Sequence, residues 1–405
     1  MTGERVSDLL GGERGATHGV RHSRGKHTKM NRITRRTLLA ASAAPLAGSL
    51  LAQHRARAEE AYVLGTLFPM AGANAEYGTI FTAGAAMAVK HVTADKMLSR
   101  PLLLRAEDSE GTPQGGAVGM NKLVNVDHAL YVLVGFTGVS KAAAPIGTRA
   151  KVVMVNGGGV GPDLAGLSPY YWNVIPLVPD EIKVLVPFLL AHQLRRVALI
   201  YVNDPFGNGL YKALKTDLTA AGGEIVAADT ISPTDQQFSA IAARIRTLAP
   251  DAVYFASYGA QQAQIIKQLR DAGIGQPLLT YSGAAIPSVR NLAEAEGLIL
   301  TAQAADWALD DPITKRFVTD WRAQYGSDPT PYNQNYYNAV RLFALLAQQL
   351  EKAGKPVGGD TLRAALLATR RFALVGGEGV FDDLGDISMK IVVNTLKGGK
   401  LVPTG

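Results

Sequence analysis

The 405-residue chain contains no cysteine. That excludes a disulfide scaffold, a thiolate metal site, a cysteine nucleophile and a lipid-anchored N-terminal cysteine. Histidine is scarce as well. Beyond residue 58 only His91, His128 and His192 remain. None is near another, and each falls in or beside a helical pattern, so they read as ordinary helix residues rather than metal ligands or bases. No segment after the first 58 residues has about 20 unbroken apolar residues, the length a membrane-spanning helix needs. Excess charge is also missing from most of the chain. The formal net charge is +7, but residues 1–58 hold 11 Lys+Arg against 3 Asp+Glu, which leaves the remainder at −1. A nucleic-acid footprint on the folded part is therefore unsupported.

What is present is a chain with 47% hydrophobic and 19% charged residues. Such a composition folds, and the length suffices for two domains. The basic end reads as an export signal. Thr34-Arg35-Arg36-Thr37-Leu38-Leu39 leads into an Ala/Leu-rich run over 38–52, and Ala56-Arg57-Ala58 has the small residues of a cleavage site. The paired arginines resemble the twin-arginine export signal. The start is open between Met1 and Met30. The mature chain, from about Glu59, is expected to be soluble.

Short apolar runs then alternate with helical patterns. Strands are expected at 62–67, 102–106, 129–134, 151–155, 196–202, 224–231, 252–257, 278–281, 298–302 and 389–396. Helices are expected at 81–94, up to 125, 178–193, 238–248, 260–272, 311–325 and 333–352. A loop is expected at 68–78, and the region between 352 and 389 reads as loop-rich. The alternation predicts an α/β fold: two doubly wound lobes of parallel sheet, each covered on both faces. The rhythm restarts after 178–193, which separates the lobes.

In such sheets ligands sit outside the carboxyl ends of the strands. The loops there, 69–78, 135–140, 156–162, 203–209, 257–259 and 281–283, are rich in glycine, hydroxyls and aromatics. They are poor in paired acids, histidines and lysines. Gly135 to Lys141 lacks the phosphate-loop spacing, Gly157-Gly158-Gly159 is not a dinucleotide fingerprint, and Thr280-Tyr281-Ser282-Gly283 lacks the first glycine of a nucleophile elbow. Asp382, Asp383 and Asp386 lack calcium-loop spacing. No catalytic constellation, metal site or cofactor is expected.

These loops resemble those of the periplasmic solute-binding proteins of the leucine/isoleucine/valine type, which serve ABC importers. The carrying residues are Leu67-Phe68-Pro69 with Tyr77-Gly78, Asp108 with Thr112-Pro113-Gln114, and Val134-Gly135 with Ala144-Pro145. Tyr201 to Gly209, Asp251-Ala252-Val253-Tyr254 with Tyr258 and Gln264-Ile265, Gly297-Leu298, and Phe381-Asp382 to Gly385-Asp386 follow in order. The resemblance implies two lobes joined by three hinge crossings, near 173–176, 301–303 and 386–388. Lobe 1 would be 59–175 plus 303–386, and lobe 2 would be 176–302 plus 387–405. It further implies a periplasmic, monomeric receptor with a small-molecule ligand in the cleft and a membrane ABC permease as partner.

Carried over residue by residue, the resemblance places Tyr77 over the ligand and Thr137, with Ser140 as substitute, on its carboxylate. Gly158 and Val160 occupy the next binding loop, and Phe206, Tyr258 and Tyr332 supply aromatic walls. Ser282 stands where the family has an acid for the ligand ammonium, and Val160 lacks the family's hydroxyl. Those two departures, with Asp204 as the one candidate replacement acid, imply a carboxylate with an apolar or aromatic body. A branched-chain amino acid is the alternative solute, and a ligand sensor or an exported enzyme are the alternative classes.

Overall fold

The structure, a computed structural model, describes residues 61–404. The export-signal expectations lie outside the described residues. The first sheet has five strands, β1 (Tyr62–Phe68), β2 (Leu102–Asp108), β3 (Tyr131–Val134), β4 (Val153–Asn156) and β5 (Tyr171–Asn173). Their order is β2-β1-β3-β4-β5 and every pairing is parallel. The sequences YVLV of β3 and VMVN of β4 are buried throughout, as central parallel strands covered on both faces must be.

Helices α1 (Ala75–Ala94), α2 (Pro113–Asn125) and α3 (Thr137–Ala150) alternate with these strands. The expected loop over 68–78 is shorter than its composition suggested, because α1 starts at Ala75, and Tyr77 therefore lies in its first turn. No breaker follows Gly72 in that segment, so the Ala-rich run propagates back to it.

After β5 the chain crosses through 174–177 into α4 (Val178–Ala191) and builds a second sheet. Its elements are β6 (Arg196–Val202), α5 (Pro205–Ala220), β7 (Glu224–Ile231), α6 (Ser239–Leu248), β8 (Ala252–Ala256), α7 (Gly259–Asp271), β9 (Leu278–Thr280), the short helix α8 (Pro287–Arg290) and β10 (Ile299–Gln303). The chain then returns to the first lobe with α9 (Pro312–Tyr325) and α10 (Pro331–Lys352). Arg316 of α9 meets Asp95 at the end of α1, and Asn333 of α10 donates to the Ile80 carbonyl at 2.7 Å.

The loop-rich expectation for 352–389 is corrected by the structure. That stretch holds α11 (Gly359–Thr369) and a small antiparallel sheet of β11 (Arg371–Leu374), β12 (Gly377–Phe381) and β13 (Ile387–Ser388). Strands of two to five residues, half exposed, carry too little hydrophobic pattern to show in sequence. The last crossing leads to β14 (Ile391–Lys397) and β15 (Lys400–Pro403), which complete the order β15-β14-β10-β9-β8-β6-β7. The expected two-lobe α/β architecture is thus observed.

The crossings lie side by side. Asn173 bridges Asp386 in parallel, and its side-chain amide donates to the Asp386 carboxylate at 2.5 Å. Burial pushes the Asp386 carboxyl up to about 6. Ala304 donates its N–H to the Lys390 carbonyl at 2.8 Å. Gln303, at the end of β10, donates to Asn335 of α10 at 2.7 Å.

Candidate functional site

The carboxyl ends of the two sheets face each other. Between them a small cavity is walled by Tyr77, Phe136, Thr137, Gly158, Gly159, Val160, Phe206, Tyr258, Tyr281 and Tyr332. Its volume is about 10 Å³, roughly room for one water molecule. A groove of about 530 Å³ lies elsewhere on lobe 1, lined by His128, Lys151 and Asp360 among others. It is larger, but it faces away from the strand-end loops.

The walls come from the turns after β1, β3, β4, β6, β8 and β9, and from α10. Phe136 is the N-cap of α3 and is held at φ 65°, ψ 138°. A bulky residue there stores about 1–3 kcal/mol of backbone strain. Its ring meets Tyr77 of the same lobe edge-on at 5.4 Å and Tyr258 of the other lobe at 5.1 Å. Phe206 stacks obliquely on Tyr281 at 4.6 Å, and Tyr332 meets Tyr77 at 5.8 Å. Behind this layer Phe68, Phe81 and Tyr336 form a second aromatic pile, with Phe81 and Tyr336 centroids 4.4 Å apart. Each such pair adds about 0.5–1.5 kcal/mol beyond its buried area, so the wall is stiff.

The aromatic hydroxyls turn away from the cavity and leave ring faces toward it. Tyr77 Oη donates to the Gly283 carbonyl at 2.7 Å. It accepts from Gln262 Nε2 at 3.0 Å and from the Gly259 N–H at 3.3 Å. Its hydrogen-bonding capacity is filled across the cleft. Tyr258 donates to Asp204 Oδ2 and Tyr281 to the Ser257 carbonyl, both at 2.8 Å. Burial raises all of these phenols, so they stay neutral. Gly259 makes the approach of the lobes feasible. It sits at φ +48°, and a β-carbon there would lie 2.6 Å from the Ala73 carbonyl oxygen of lobe 1.

Thr137 is the polar exception. Its Oγ1 accepts from the Gly161 N–H at 3.0 Å, which leaves the hydroxyl proton for another acceptor. It is the first residue of α3, where the N–H groups of the opening turn have no intrahelical acceptor and favour an anion. In the adjacent loop the N–H groups of Gly158 and Gly159 are bound by Asn156 Oδ1 at 3.1 and 2.7 Å, so Asn156 sets the loop's shape.

Of the sequence-read residues, Tyr77, Thr137, Gly158, Val160, Phe206, Tyr258 and Tyr332 are brought together on one wall. Ser140 and Ser282 are not on it. Ser140 is fully buried one helical turn behind Thr137, close to the Tyr171 hydroxyl. Ser282 is buried behind Tyr332 and is tied to an acid that the sequence did not reveal. Ser282 Oγ donates to Glu181 Oε1 at 2.6 Å, and its N–H donates to Oε2 at 3.1 Å. Thr301 Oγ1 donates to the same Oε2 at 2.6 Å. Burial pushes the Glu181 carboxyl up to about 7, against the lowering pull of these three donors. Asp204, the replacement acid suggested by sequence, is committed elsewhere. It caps α5 through the Gly207 N–H at 2.8 Å and takes the Tyr258 hydroxyl. Phe136, Gly159, Gln262 and Glu181 are the residues that sequence reasoning missed.

The profile of the periplasmic binding protein family matches residues 62–400. The chain belongs to that family. The Leu/Ile/Val-binding protein BraC3 of Rhizobium johnstonii is 26% identical over 91% of this chain and 99% of its own length. Among solved structures, the leucine-binding protein LivK of Thermotoga maritima superposes with a TM-score of 0.77 at 23% identity, covering 85% of this chain and 97% of that one. A solute-binding protein of an ABC transporter from R. palustris, in complex with benzoate, gives a TM-score of 0.77 at 21% identity, covering 85% and 96%. This periplasmic binding protein is thus similar to solute-binding receptors of ABC transporters. Among the described residues no helix is long and apolar enough to cross a membrane.

Proposed function

We propose that this periplasmic binding protein captures a small carboxylate with an apolar or aromatic body and delivers it to a membrane ABC permease. The observation that carries the reading is the division of the cavity wall. Ring faces line it, their hydroxyls are bound elsewhere, and Thr137 at the start of α3 offers the free donor. Such a wall suits an apolar body with one anionic end. A solute of that kind needs far more than 10 Å³, so the lobes must part to admit it. The turning points are 173–176, 301–303 and 386–388, between a lobe of 59–175 with 303–386 and a lobe of 176–302 with 387–405. The chain acts as a monomer without cofactor or metal and catalyses no reaction.

The decisive experiment is a thermal-shift and calorimetric screen of the mature chain against aromatic acids, branched aliphatic acids and branched-chain amino acids. A ligand at 100 times its Kd adds about 2.7 kcal/mol of stability. No stabilisation by any of the three classes would overturn the reading. The branched-chain amino acid remains the second reading, favoured by the Glu181 carboxyl behind Ser282.

Export by the twin-arginine route is supported by Arg35-Arg36 before the apolar run. Replacing both by lysine is expected to leave precursor in the cytoplasm. An unchanged periplasmic yield would overturn that route.

A further inference from the structure

Glu181 is a buried acid with a one-directional set of partners. It lies in the first turn of α4, just past the first crossing. The groups facing its carboxyl are Ser282 from the turn after β9, Thr301 from β10, Asp180 on its own helix, and the hydroxyls of Tyr254 and Tyr332. No lysine, arginine or histidine pairs with it among the described residues. All three of its hydrogen-bond partners donate. The carboxyl therefore works as an acceptor at the blind end of a chain that leads back to the cleft.

Proton counting gives that chain a direction. A serine hydroxyl has one proton, and that of Ser282 goes to Glu181. The Tyr332 hydroxyl lies against Ser282, and its ring is part of the cavity wall. With the Ser282 proton already spent, Tyr332 must be the donor in that contact. Its remaining lone pair is what this end of the cleft presents to a solute. A carboxylate is repelled there, whereas a donor is accepted. Thr137 offers the opposite polarity elsewhere on the same wall.

Resting on the function proposed above, we propose that Glu181 is a positioning residue that orients Ser282 and Tyr332 as acceptors. The receptor thereby selects, among apolar or aromatic carboxylates, those that also carry a hydrogen-bond donor, either an ammonium or a phenolic hydroxyl. Protonation of the carboxyl supplies a proton to the blind end and removes the direction. Burial brings that protonation to about pH 7.

The test is calorimetry at pH 8 with two matched pairs: leucine against 4-methylpentanoate, and 4-hydroxybenzoate against benzoate. Wild type, E181Q, E181D and S282A are compared. In wild type the donor-bearing member of one pair is expected to bind at least tenfold more tightly, and the pair that shows it identifies ammonium or phenol. E181Q and S282A are expected to abolish most of that preference and to shift the donor-free member by no more than about twofold. E181D, which keeps the charge, restores part of it. At pH 5.5 wild type is expected to discriminate like E181Q. Two outcomes overturn the inference alone: parallel losses for both members with the preference intact, or a wild type that binds the pairs without preferring the donor. If no member of either pair binds wild type, the proposed function falls with it. Should E181Q fail to fold, S282A carries the same comparison.

Discussion

Tyr77 Oη of lobe 1 donates to the Gly283 carbonyl of lobe 2 at 2.7 Å and accepts two donors from the same lobe, Gln262 and Gly259. One phenol thus closes three hydrogen bonds across the cleft. Tyr77→Phe keeps the ring and removes them all. Neutral hydrogen bonds contribute about 0.5–1.5 kcal/mol each, so affinity is expected to fall by roughly tenfold or more. The loss should appear as faster dissociation in stopped-flow measurements, because the latch forms only once the lobes meet.

Gly259 offers a steric counterpart. A methyl group there would meet the Ala73 carbonyl at 2.6 Å, and the residue already sits at φ +48°. Gly259→Ala is expected to lower stability by about 1–2 kcal/mol for the left-handed backbone. It should also hold the cleft open, so that X-ray scattering with saturating ligand shows no decrease in radius of gyration. A decrease equal to that of wild type would overturn the role given to this glycine.

Thr137 is expected to decide charge selectivity. Thr137→Val deletes the free hydroxyl donor at the start of α3. Hydrogen bonds to charged groups are worth about 1.5–3 kcal/mol, so a carboxylate ligand should weaken by roughly 10- to 150-fold. The corresponding primary amide should change much less. Equal losses for both would mean that the variant damages the wall rather than the anion end. The Gly161 N–H, which Thr137 Oγ1 now receives, is the contact to inspect in that event.

Glu181 makes stability depend on pH with a defined sign. Its folded-state pKa of about 7 lies above the ordinary 4.5, so the folded protein holds this proton more tightly than the unfolded chain does. The contribution is fully present below about pH 4.5 and is lost as pH rises through 7. A shift of that size corresponds to about 3 kcal/mol between the two limits. Denaturant unfolding of wild type and E181Q at pH 5 and pH 8 isolates it: wild type should lose that amount relative to E181Q on going to pH 8. A constant difference would show that burial does not raise this carboxyl.

The sequence disclosed the sheets better than the site. Strands 196–202 and 224–231 were placed to the residue, since unbroken apolar runs between charged or turn-forming neighbours leave little choice of boundary. Tyr77 was read as a loop residue because Pro69 and Gly72 dominate its neighbourhood, yet helix propagation from Ala75 captured it. Phe136 could not be anticipated, as its positive φ runs against every local preference of phenylalanine. Glu181 was hidden for another reason. Its partners Ser282 and Thr301 are 101 and 120 residues away, and nothing in a helix start such as VPDEI marks one acid for burial. The aromatic walls were legible because they follow strand ends, a position that topology alone assigns to ligands.

The bonds that tie Asn173 to Asp386 and Ala304 to Lys390 join the three connecting segments into a single ribbon. Strings that are free of one another can twist and shear separately, whereas a ribbon bends about one line. The two halves of this protein are therefore confined to a swing, with little freedom to roll or slide. A permease that touches both halves at once need measure only one angle to learn whether a solute is on board.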